Sequence, residues 1–150
     1  MKTFTLCALL PLVSASSQVP RAESSSDSLY GYGVGIGGLP FIYADVALNS
    51  GVLAVTPTNT TWSVNKNLYI NLAANAYDSA KIASSVDGYA DTGFMFYGRI
   101  LFHTGSSGMK SLFYATPIDS QNKTYVLKWN SDSADDGVST PVALRTVPPS

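Results

Sequence analysis

Thr124-Tyr125-Val126-Leu127-Lys128-Trp129 is the stretch that decides the fold class. Tyr125, Leu127 and Trp129 recur at every second position, with Val126 and Lys128 between them. Side chains alternate across a β-strand, so this spacing predicts a strand with its large rings on one face and Trp129 in the core. Leu68-Tyr69-Ile70-Asn71-Leu72 repeats the pattern: Leu68, Ile70 and Leu72 share a face, and Tyr69 and Asn71 take the other. Further short apolar runs lie on either side: Phe41 to Leu48, Val52 to Val55, Phe94 to Tyr97, Arg99 to Phe102, Leu112 to Tyr114 and Pro141 to Arg145. Turn signals separate them, at Asn49-Ser50-Gly51, Asn65-Lys66-Asn67, Gly98, and Gly105-Ser106-Ser107-Gly108. Residues 73–86 admit either two helical turns capped by Asn75 or a loop with a short strand at Lys81-Ile82-Ala83, and the second is the better fit to the surroundings. About ten short strands in one domain predict an all-β fold, a single compact antiparallel sandwich or small barrel. A β-trefoil is the alternative, and the unequal spacing of the best-matched runs ranks it second.

Composition agrees. Only 13 % of residues are charged, and the single Glu is Glu23. Polar positions are filled by Ser, Thr, Asn, Asp and Gly, which suit turns and strand surfaces rather than the wet faces of helices. From Gly31 to Gly38, glycines alternate with Tyr32, Val34 and Ile36, predicting a strand with one bare face against which another element packs closely. The spacing lacks the dinucleotide fingerprint, and Pro40 follows where a helix would be needed.

The N-terminal Met1 to Ala15 has the form of a secretion signal: Lys2, an apolar run from Phe4 to Val13, and small residues for cleavage after Ala15. Ser16 to Ser28 reads as a flexible serine-rich leader, and residues 29–150 as the domain. Cleavage removes Cys7, the chain's one cysteine, so the mature domain is expected to carry no disulfide and no cysteine-ligated metal. The formal charge is −1. No basic cluster suggests nucleic-acid binding, and no apolar segment reaches the ~20 residues of a bilayer span. Asn59-Thr60-Thr61 and Asn122-Lys123-Thr124 fit the N-glycosylation acceptor, making Asn59 and Asn122 the expected glycan sites.

Residues for catalysis are sparse. His103 is the only histidine. A serine nucleophile needs such a base and a carboxylate to orient it, but no nucleophile elbow is present. His103 is expected to face solvent where a strand enters the turn at Thr104. Asp132, Asp135 and Asp136 only loosely follow a calcium loop, since the bidentate Glu is missing, and they read better as a solvated acidic loop. No catalytic, cofactor or metal site is assigned. Flat rings can take a pyranose face. Tyr69 and Tyr97, on faces opposite to apolar neighbours, are the candidate carbohydrate contacts.

The order of motifs resembles a family of small secreted fungal proteins that includes a cell-wall protein linked to phialide development and IgE-binding antigens. The likeness runs through Tyr32-Gly33-Val34, Leu39 to Tyr43, Asn49 to Val55, Gly98 to Phe102, Leu112 to Pro117, Tyr125 to Trp129 and Val142 to Leu144. That family often carries a cysteine where Thr116 precedes Pro117, and a partner near Thr140; both are absent here. The resemblance implies a non-catalytic protein of the extracellular space or wall. The expectation is a secreted glycoprotein acting through surface contacts, with wall polysaccharide or another extracellular protein as partner. The alternatives are a carbohydrate-binding module and a secreted host-directed effector.

Overall fold

In a computed structural model, residues 27–57, 66–121 and 124–150 are described, the side chains of 41–44 and 57 excepted. Residues 1–26, which hold the expected signal and most of the expected leader, lie outside the described residues, as do Asn59 and Asn122.

The described chain is all-β and antiparallel. Its strands are β1 (Asp27–Gly33), β2 (Ile36–Asn49), β3 (Val52–Pro57), β4 (Lys66–Tyr69), β5 (Tyr77–Ser79), β6 (Lys81–Ala83), β7 (Phe94–Tyr97), β8 (Ile100–Gly105), β9 (Gly108–Lys110), β10 (Phe113–Pro117), β11 (Tyr125–Asn130) and β12 (Thr140–Arg145). Asp27 and Ser28, read from sequence as the end of the leader, already belong to β1. Residues 73–86 contain no helix, and the short strand expected at Lys81-Ile82-Ala83 is β6.

The main sheet runs β5-β11-β10-β12-β1-β2-β3-β4-β6. Its two edge strands are consecutive in the chain, joined through Ala80. Tyr77 to Ser79 pair with β11 on one side, and Lys81 to Ala83 pair with β4 on the other. One short segment therefore passes from one edge to the other and nearly closes the sheet into a barrel. Among the described residues the path contains no threefold repetition of the trefoil kind. A barrel of about eight staves has an interior that side chains just fill, or that holds one small ligand.

Strands β7, β8 and β9 leave this path as a separate hairpin unit. It is tied to the barrel by the pair Arg145–Ile100 and by the Phe94 N–H, which donates to the Gly51 carbonyl at 2.9 Å. Phe94 and Leu101 point inward from it and are 2 % and 0 % exposed. They join Leu29, Val46, Leu53, Leu68, Ile70, Phe113, Trp129 and Leu144 in one continuous core. Trp129 is buried, as its alternation with Leu127 and Tyr125 predicts.

Local chemistry fixes the turns. Asn49 pairs with Val52 across Ser50-Gly51, whose φ values of 50° and 83° are both positive, as a tight primed hairpin turn requires. The glycine-rich stretch corrects an expectation: it is a hairpin rather than one strand, because Gly33 pairs with Ile36 across Val34-Gly35. Close packing against it does occur. A Cβ on Gly33 would sit 2.5 Å from the Pro141 carbonyl oxygen, so only glycine lets β12 lie so near β1.

Candidate functional site

His103 stands at the end of the barrel covered by the β7–β9 unit. Along β8, Leu101 and His103 face inward while Phe102 and Thr104 face outward. The imidazole is therefore buried, 6 % exposed, and the expected solvent-facing histidine is corrected. Gly93, just before the partner strand β7, makes room: a Cβ on it would lie 2.7 Å from His103 Nε2. Rings enclose it edge to face, Phe94 at 5.5 Å and Trp129 at 5.7 Å between centroids. Nε2 lies 3.0 Å from the Thr92 carbonyl oxygen. A carbonyl only accepts, so Nε2 carries the proton and Nδ1 is the unprotonated nitrogen of the neutral ring. Burial pushes the His103 pKa below its ordinary value, partly offset by the Thr92 bond.

A recess of about 250 Å³ adjoins the ring, rimmed by Ser106 and Ser107 of the β8–β9 turn, with Lys110 and Trp129. It brings serine hydroxyls to the neighbourhood of the imidazole, but among the described residues its lining holds no carboxylate. The group that orients His103 is the Thr92 backbone, not an acid.

The acidic loop is organised by its own carboxylates. Asp136 accepts from Ser139 Oγ and Ser139 N, each at 2.6 Å, and from Val138 N at 3.0 Å. These bonds, the Ser139 hydroxyl first, hold its carboxyl far below the usual carboxylate range. Asp135 accepts from Gly137 N, and Asp132 from Asn75 N. Each carboxylate thus serves a different backbone donor. Among the described residues no group of three His, Cys, Asp or Glu side chains converges as a metal site.

The two candidate sugar-contact rings part company. Tyr97 ends β7 with 64 % of its surface exposed, edge-on to Phe102 at 6.4 Å. Tyr69 is only 6 % exposed, which corrects its placement at the surface. Its face of β4 does point away from Leu68, but the segment after β6 folds over it, and its hydroxyl donates to the Ser84 carbonyl at 3.1 Å. Burial and the Asp91 carboxylate raise the Tyr69 pKa above its ordinary value.

Thr116 and Ser139, at and beside the positions of the resembled family's cysteine pair, touch through their hydroxyls at 2.6 Å. Ser139 donates its one proton to Asp136, so Thr116 is the donor to Ser139. No helix among the described residues is long and apolar enough to cross a membrane.

Comparison with family models, with curated proteins and with solved structures finds no match to this chain.

Proposed function

We propose that this chain is an exported, N-glycosylated, non-catalytic protein of the fungal wall or extracellular space, acting through its surface. The observation that carries the reading is the Met1 to Ala15 leader, whose removal leaves a domain without cysteine. The commitments of the reactive side chains support it. The His103 imidazole is enclosed by rings and bonded to a backbone carbonyl, and Asp132, Asp135 and Asp136 accept from backbone N–H groups. The test is expression of the full chain in a secreting fungal host, followed by fractionation of cells, wall and medium. The reading expects product in the wall or medium, beginning after Ala15 and losing mass on endoglycosidase treatment. Full-length, unglycosylated protein retained in the cell would refute it.

Tyr97 favours a second reading, a carbohydrate contact. Its ring is exposed at a hairpin end and steadied by Phe102. In pull-downs with chitin and β-glucan, this reading expects Tyr97→Ala to lose at least ten-fold in retention. Equal retention of the wild type and the variant would dismiss it.

A further inference from the structure

The barrel's interior is not filled along its whole length. At the end away from His103 lies a cavity of about 300 Å³. Leu68, Val142 and Leu144, each at most 6 % exposed, form its deep wall. Ala115, Ile82 and Leu127 line its flanks. Its position follows from how the barrel closes. The Ala80 N–H donates to the Leu127 carbonyl at 2.8 Å, and beyond that bond β6 pairs with β4 alone. β11 and β6 then part, leaving a seam bordered by Ser79, Tyr125 and Val126. Leu39, on the cavity lining, is 37 % exposed and marks a rim open to solvent.

We propose that this cavity binds one neutral, predominantly apolar small molecule of about ten to twelve carbons. Volume sets the size: an apolar cavity of ~150 Å³ stays dry and takes benzene, so twice that volume takes about twice the carbon. Wall chemistry sets the class. Among the described residues, none of the side chains lining the cavity is acidic or basic, and the hydroxyl-bearing ones, Ser79 and Tyr125, belong to the strands at the seam. A charged headgroup drawn inside would lose its hydration without gaining a partner. An apolar body instead supplies dispersion contacts that the walls lack when the cavity is empty. The site is separate from Tyr97 and does not depend on export.

The test titrates the purified protein with 1-decanol, naphthalene and decanoate, read by calorimetry and by backbone amide shifts. The proposal expects saturable one-to-one binding of the two neutral probes, with Kd on the order of 10 μM for ligands of this size. It expects amide shifts concentrated on β6, β11 and β12, and at least ten-fold weaker binding of decanoate. Ala115→Leu, which fills the cavity, should weaken decanol at least ten-fold. Leu39→Glu does the same from the exposed rim, should the core variant fail to fold. The proposal is overturned by absent saturable binding to the wild type, by shifts confined to the His103 recess, by decanoate binding more tightly than decanol, or by unchanged affinity in Leu39→Glu.

Discussion

The two ends of the barrel are closed by different means. At one end the β7–β9 unit lies across the opening, and an edge-to-face series from Phe94 through His103 and Trp129 to Phe113 fills the space, with centroids 5.0 to 5.7 Å apart. At the other end, strands β10 and β11 carry Ala115 and Leu127 where the aromatic end has Phe113 and Trp129. Among the described residues no hairpin covers them, and about 300 Å³ stays open. The same two neighbouring strands thus build a solid end and a hollow one, simply by exchanging large rings for small and aliphatic side chains two positions along. The large rings thus sit at one end and the open space for the proposed guest at the other.

The largest expected effect breaks the ringed end. Trp129 is 2 % exposed and touches both Phe113 and His103, so Trp129→Ala should cost about 4 kcal/mol in chemical denaturation. Leu127→Ala, half-buried beside existing space, should cost about 1.5 kcal/mol by the same measurement. Equal losses would erase the contrast between the ends.

Stapling the hollow end comes next. Thr116 on β10 and Ser139 just before β12 already meet at 2.6 Å between oxygens. The double variant Thr116→Cys/Ser139→Cys should form a disulfide and gain about 2 kcal/mol. That is less than a full crosslink gives, because the Ser139 bond to Asp136 is lost. Mass spectrometry after thiol alkylation reports the bond, and denaturation with and without reductant reports its worth. Failure to oxidise would mean that the two backbones are held further apart than their hydroxyls suggest.

Filling the hollow end is smaller still. Ala115→Leu adds apolar carbon where space exists, and should raise stability by about 1 kcal/mol. A loss of that size would instead signal overpacking and sharpen the volume estimate downward.

Much of the ringed end was legible in the chain. The period-two pattern from Tyr125 to Trp129 places Trp129 inside, and it is there. The turn at Gly105 to Gly108 and the strand at Lys81 to Ala83 are also where the residues put them. The failures have separate physical causes. For Tyr69, alternation tells which face of a sheet a residue takes, and nothing about what later covers that face. Tyr69 does point away from Leu68, yet the segment around Ser84, fifteen residues on, folds back over it. For His103, the neighbouring turn residues suggest solvent, although its spacing from Leu101 sets it on the inner face. Val34 continues the alternation of Tyr32 and Ile36 across a reversal of the chain, so period alone concealed the hairpin. The cavity left no mark in any single strand. It arises where β11 and β6 separate, which is a property of how the sheet closes.

The smallest effect tests the ringed end by proton. His103 is neutral in the folded state because burial depresses its pKa below the ordinary 6.5, whereas the unfolded chain titrates near that value. Between the two pKa values the unfolded state binds more protons, so stability rises with pH across that window. The contribution is fully present above about pH 6.5 and is lost as pH falls toward the folded-state pKa. Melting temperatures taken between pH 7.5 and 5.5 should therefore fall on acidification. The slope should flatten in His103→Gln, which cannot take the proton. A wild type whose melting point holds steady across that window would mean that the imidazolium is tolerated among Phe94, Trp129 and the Thr92 carbonyl. The ringed end would then be wetter than its edge-to-face packing implies.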